Sequence, residues 1–148
     1  MKKTWGIQYF IKIFAVDELT LIPKGRTGLL IFNTDTSQNT GQHWIALCIT
    51  KNNIYYFDSL FSDFQHSILF QEYMTFAKKR LTWNTIQIQH DLSDKCGIHC
   101  LVFCYAMRKK RNRTNYESFL RNFLNLSIEN REQLSLDFFN LVKNICCL

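Results

Sequence analysis

Cys96, at the head of the stretch "DKCGIHCLVFC" (94–104), is the residue of this sequence best placed to act as a nucleophile. Cys96, Cys100 and Cys104 stand four residues apart, so on a helix opening at Cys96 they share one face. Three thiolates on one helix cannot close a tetrahedral zinc site, and parallel Cβ vectors cannot be bridged as disulfides. Cys100 and Cys104 therefore read as small apolar residues of a packed helix. Cys96 differs by position. Orphan N–H groups and the macrodipole at a helix N-terminus favour thiolate, and Lys95 adds positive charge next door. Gly97 removes a side chain where a substrate backbone would approach.

A thiol nucleophile needs a base, and the base needs a group to orient it. His66 falls in a predicted amphipathic helix and His99 inside the Cys96 helix, so both read as surface or packing residues. His43 stands directly before Trp44, between the polar loop "DTSQNTG" (35–41) and a strand, the kind of junction where a rigid scaffold mounts catalytic groups. Asp58 ends the next strand. Antiparallel pairing brings it beside His43, where it would hold the Nδ1 proton.

The elements that must position these residues follow from pattern. "GLLIFN" (28–33), "HWIALCIT" (43–50) and "IYYFDS" (54–59) are short, aliphatic and aromatic, and bounded by turn formers, as strands are; "KNN" joins the last two as a hairpin. Residues 63–81 space their apolar positions like an amphipathic helix, and "IQIQ" (86–89) alternates like a further strand. A buried helix is predicted from Cys96 to about Lys110. "TNYE" (114–117) reads as a capping box with Thr114 as N-cap, and 131–145 as a last helix. Strands in the middle with helices around them predict an α+β fold in a single domain over 1–148.

Bulk properties agree. A chain of 148 residues, 47% apolar, with five glycines and one proline, can bury a sizeable core. No apolar run has the roughly 18 residues of a membrane span. "MKKTWGIQYFIKIF" interrupts its apolar stretch with Gln8 and Lys12, so a secretory leader is not expected, and the six cysteines read as reduced and intracellular. The net charge of +6 sits in the second half, much of it in "KKR" (78–80) and "RKKRNR" (108–113). Arg108, Lys109, Lys110, Arg111 and Arg113 form either a solvated helix end or a face for polyanions, and the run alone does not choose between them.

The ordered set of motifs resembles the adenovirus endopeptidase (adenain) family and, more distantly, the ubiquitin-like-protein proteases. "LLIFNTDTSQNTGQHWIAL", "YYFDSLFSD" and "CGIHCLVF" match in order, covering 29–103. The resemblance implies a papain-like, permuted cysteine protease fold with a central, mostly antiparallel sheet. It implies His43 as base, Asp58 as orienter, Cys96 as nucleophile and Gln89, seven residues before Cys96, as side-chain donor of the oxyanion hole. Trp44 corresponds to an aromatic residue narrowing the substrate channel, which it would line with Gly97. Lys95 stands where the ubiquitin-like-protein branch usually has Asp, and no cysteine between Cys48 and Cys96 offers the disulfide by which adenain joins its peptide cofactor.

The implied function is a cysteine endopeptidase cutting viral structural precursors at Gly-containing sites. The alternatives are a deubiquitinase or ubiquitin-like-modifier isopeptidase, and an inactive relative that binds nucleic acid. The sequence calls for no cofactor and no metal, and leaves a peptide or DNA activator open. Expected partners are viral precursor proteins and non-specific DNA, with no membrane. The protein is expected to be a monomer, intracellular, in the virion and host nucleus of a DNA virus or virus-like mobile element.

Overall fold

The computed structural model describes residues 11–39 and 42–146; the opening segment read above for a leader, the end of the 35–41 loop, Cys147 and Leu148 lie outside the described residues. Five strands form one sheet in chain order: β1 (Ile11–Ala15), β2 (Gly28–Asn33), β3 (Trp44–Ile49), β4 (Asn53–Phe57) and β5 (Arg80–Trp83). A 3-10 segment (Val16–Leu21) links β1 to β2. A 3-10 turn (Phe64–His66) and helix α1 (Ile68–Ala77) link β4 to β5. Helices α2 (Cys96–Met107), α3 (Arg113–Arg121) and α4 (Ile128–Cys146) complete the chain. The sheet is antiparallel at its centre, β2 to β3 to β4, and parallel at both edges, so it is mixed where a mostly antiparallel one was expected.

The central strands are continuous apolar runs because helices cover both faces, a situation in which strict apolar–polar alternation disappears. Leu29, Ile31, Ala46, Cys48, Tyr55 and Phe57 pack toward α2 and α3, where Phe57 stacks on Phe103 with ring centroids 4.9 Å apart. Leu30, Phe32, Ile45, Leu47, Ile54 and Tyr56 face the opposite way, onto Phe70 and Tyr73 of α1 and onto Val16 and Leu19. Helix α2 is buried along most of its surface, which explains its nearly unbroken apolar sequence. No helix among the described residues is long and apolar enough to cross a membrane.

Several predicted elements differ. The helix read over 63–81 is confined to Ile68–Ala77: Lys78 adopts left-handed backbone (φ 53°) and donates its N–H to the Met74 carbonyl, turning "KKR" into β5. "IQIQ" is not a strand. The N–H groups of Ile88 and Gln89 both converge on the Ser59 carbonyl, at 2.9 Å each, so no ladder forms, and its alternation reflects a loop pressed into the core, with Ile88 fully buried. The N-cap of α3 is Asn112, whose side chain accepts from the Asn115 N–H at 2.8 Å; Glu117, expected to complete a capping box with Thr114, pairs instead with Arg113 one turn back. Asn115 also donates to the Ala106 and Lys110 carbonyls, ending α2 at Met107 short of the predicted Lys110.

Candidate active site

The site is assembled at the end of the sheet where β2 stops and β3 begins. His43 precedes β3 and is tied to the end of β2 through its carbonyl, which accepts the Thr34 N–H at 2.9 Å. Asp58 immediately follows β4. Its backbone is clamped by buried Asn84, whose Oδ1 accepts the Asp58 N–H at 2.8 Å and whose Nδ2 donates to the Asp58 carbonyl at 2.7 Å. The Asp58 carboxylate, 1% exposed, then gathers four donors: His43, the Leu60 N–H at 3.0 Å, the Ser62 N–H at 3.0 Å and the Ser62 hydroxyl. Phe61, inside this tight loop, sits at φ 54°, a left-handed conformation costly for a bulky residue, held here by the hydrogen bonds around it.

The hairpin does bring His43 to Asp58, but through the other nitrogen: Nε2 lies 2.7 Å from Asp58 Oδ1. Nδ1 is thereby left free of Asp58, and the Cys96 thiol lies close enough to His43 to influence its protonation. The expected Nδ1 contact is not made, because Asp58 is met by the ring nitrogen farther from the backbone. Burial alone would depress the imidazolium of His43, but hydrogen bonds and charge from Asp58 and Cys96 outweigh it and raise its pKa to about 9. Burial likewise disfavours the Cys96 thiolate, and His43, the backbone N–H of Trp44 and that of Gly97 outweigh it, so the thiol pKa is lowered. Asp58, against burial, is held ionised by His43, Ser62 and Leu60. The arrangement favours a thiolate–imidazolium pair backed by a carboxylate.

Cys48, Cys100 and Cys104 are opposite in character. Burial pushes Cys48 up to about 12, and raises Cys100 and Cys104 as well. Cys100 donates weakly to the Trp44 carbonyl at 3.3 Å and so fastens α2 to β3. His99 is a packing residue, as expected: fully buried, it meets Ser135 Oγ at 2.7 Å and Glu132 Oε1 at 3.4 Å, joining α2 to α4. His66 lies in the 3-10 turn, edge-on to Trp83, and not in α1.

Gln89 is buried and held at both ends. Its Oε1 accepts the Ser59 hydroxyl at 2.7 Å and its Nε2 donates to the Ser93 carbonyl at 2.6 Å, leaving one amide hydrogen outside these bonds. His90 instead accepts the Leu92 N–H within its own loop. Gln89→Ala is expected to lower kcat by about 10²-fold or more with little change in KM, the signature of a lost oxyanion donor. A thermal melt on the same preparation separates that loss from the destabilisation of unpairing Ser59 and Ser93. Should His90→Ala be crippled and Gln89→Ala nearly normal, the donor is His90.

Trp44 is half-buried against α2, and a Cβ added at Gly97 would meet only its Cδ1, at 3.9 Å. Packing therefore does not require glycine at 97; its effect is to leave space open beside the thiol. In the basic run, the Arg108 guanidinium lies 3.4 Å over the Tyr105 ring and Arg113 pairs with Glu117 at 2.8 Å, whereas Lys109, Lys110 and Arg111 are exposed. Sequence reasoning missed Asn84, Ser59, Ser62 and Ser93. Ser59 and Ser62 lie within "FDSLFSD", where hydroxyls following a strand-ending aspartate were the available signal; Asn84, in a loop 26 residues from Asp58, offered none.

A thiol at the N-terminus of a buried helix, facing a histidine and an aspartate carried by adjacent strands of a mixed sheet, defines a papain-like α+β architecture. Among solved structures the chain is similar to the ASFV pS273R protease, with a TM-score of 0.51 and 21% identity over 74% of this chain and 42% of that one. At that identity the likeness is one of fold, and this chain spans less than half the length of that protein. No protein-family model and no curated protein matches the sequence.

Proposed function

We propose that this protein is a cysteine endopeptidase of the adenain type that matures viral structural precursors at Gly-containing sites. The observation that carries the reading is the grouping of Asp58, His43 and Cys96, in which the Cys96 thiol is lowered while those of Cys48, Cys100 and Cys104 are raised. The Cys96 thiolate adds to the scissile carbonyl carbon, forming a C–S bond while charge moves to the oxygen. Gln89 and the orphan N–H of Cys96 receive that oxyanion. Collapse breaks the C–N bond as His43 gives its proton to the departing amine. Water, deprotonated by His43, then hydrolyses the thioester, and the carboxylic acid product leaves with the thiolate restored. Trp44 and the bare Gly97 border the approach to the thiol, which suits glycine in the substrate.

The experiment compares Gly-containing peptides from capsid precursors of the encoding genome with a fluorogenic ubiquitin-like modifier. Faster cleavage of the peptides supports the reading; a modifier cleaved far faster transfers the chain to the deubiquitinase class; and duplex binding without hydrolysis of either makes it an inactive nucleic-acid-binding relative. On the proposed reading the monomer works within the virion and host nucleus, needs no metal, and has DNA or a peptide as its candidate activators.

DNA is the proposed second partner. Residue 108 is twelve residues beyond Cys96, roughly 18 Å at the rise of an α-helix, so a duplex on the basic run leaves the thiol uncovered. Neutralising Arg108, Lys109, Lys110, Arg111 and Arg113 together is expected to weaken binding to random duplex DNA and flatten its salt dependence, with most of the loss reproduced by Lys109, Lys110 and Arg111 alone, because Arg113 is already paired. Filter binding across a salt series checks both. Wild-type protein that binds no duplex at low salt refutes this partner and leaves the protease reading standing.

A further inference from the structure

A cavity of about 480 Å³ opens beside His43 and is walled by the loop that follows Asp58. Leu60, Ser62, Asp63, Phe64 and His66 line it; Cys96, Trp44 and Gly97 do not. That asymmetry gives the cavity a direction. In thiol proteolysis the acyl fragment stays on the sulfur, while the departing amine takes its proton from the histidine. The substrate segment beyond the scissile bond must therefore run out over His43, on the side away from Cys96, and that is where the cavity lies.

Its chemistry is equally one-sided. Asp63 is exposed, and its side chain makes no capping bond to the 3-10 turn it precedes and no ion pair with the described residues. His43 also borders the cavity, but its charge is matched by Asp58 and by the Cys96 thiolate. Asp63 thus supplies the unmatched charge of the lining, and the half-buried Leu60 and Phe64 supply apolar surface on the same wall. An aliphatic stem ending in a cation satisfies both features.

We propose that this cavity is the leaving-group subsite and that Asp63 selects substrates with lysine or arginine shortly after the scissile bond. The inference rests on the protease reading and deepens it. The loop serves both purposes: Ser62 holds the Asp58 carboxylate, and the next residue, Asp63, presents its own carboxylate to the substrate.

The test uses peptides identical up to the scissile bond, with Lys, Ala or Glu at the first two positions beyond it. Each kcat/KM is divided by that for an aminocoumarin amide of the same acyl peptide, which has nothing beyond the bond. Wild-type enzyme should prefer Lys over Glu by roughly three- to five-fold at low salt, the scale of an exposed ion pair, with the ratio falling as salt rises. Asp63→Asn should bring the ratio near one, and Asp63→Lys should invert it. A Lys preference that survives in Asp63→Asn, or no preference in the wild type, overturns the subsite while the protease reading stands. Wild-type enzyme that hydrolyses neither the amide nor any peptide overturns the protease reading and the subsite with it.

Discussion

Cys96→Ala is expected to abolish peptide hydrolysis and leave the fold intact. The substitution removes one sulfur from a residue at the edge of the core and creates no cavity of the size that destabilises by several kcal/mol. Cys100→Ala and Cys104→Ala should keep activity, because their thiols lie inside the packing of α2 and are held neutral by burial. A stoichiometric alkylating agent should label Cys96 first, and its pH dependence should part from that of hydrolysis. Alkylation needs only the thiolate, so it rises through the lowered pKa of Cys96 and then stays level. Hydrolysis also needs the imidazolium to protonate the departing amine. Its rate should fall as pH rises through about 9, where His43 loses its proton. Peptide mapping that finds the label on Cys48, with activity lost, would refute the assignment, since burial pushes that thiol up to about 12.

How much of this was legible in the sequence follows from the range of the forces involved. Cys96 at a helix start and the β3–β4 hairpin are local patterns, a terminus signal and a short turn between apolar runs, and both are in place. The pairing of His43 with Asp58 follows from the hairpin, because antiparallel strands fix which ends meet. The nitrogen that makes the contact does not follow from strand pairing, which fixes backbone positions and not the rotation of an imidazole ring. The seating of α2 on β3 is equally non-local, resting on contacts some fifty residues apart such as Cys100 to the Trp44 carbonyl. The same limit explains "IQIQ". Its alternation is one of residue type and not of exposure, since the neighbours Ile88 and Gln89 are both buried; the partner of its backbone is the Ser59 carbonyl in another loop, and no local pattern announces that. Asn84 is the clearest case. It acts by bonding both backbone groups of Asp58, and a lone asparagine in a polar loop carries no such message in its neighbours. The parallel edge strands escaped for a related reason: β1 and β5 are only five and four residues long, and part of β5 is the basic "KKR" end of the predicted helix.

Asp58→Asn is the second large effect, and it separates charge from shape. The amide is nearly isosteric, so the loop need not move, but it offers one acceptor oxygen where the carboxylate offers two. If that oxygen keeps the bonds from His43 Nε2 and Leu60, its NH2 must face the Ser62 N–H, donor against donor, in a site 1% exposed. If it turns over, His43 loses its acceptor. Either way one buried donor is unpaired, and stability should fall by about 1–3 kcal/mol. Catalysis should suffer more. Without the carboxylate, burial again depresses the His43 imidazolium, the thiolate loses its counter-charge, and the alkaline limb of the rate profile should move below 9. A kcat loss of about 10²-fold or more is expected, of the kind that follows when a histidine base loses its orienting carboxylate. The acid side provides an independent check on the sign. Asp58 has a folded pKa below its unfolded value, so it contributes stability above the unfolded pKa that is lost as pH falls through the folded one; Asp58→Asn should lose that part of the pH dependence of unfolding. Full activity in Asp58→Asn, with the alkaline limb unmoved, would show that His43 is oriented by something other than this carboxylate.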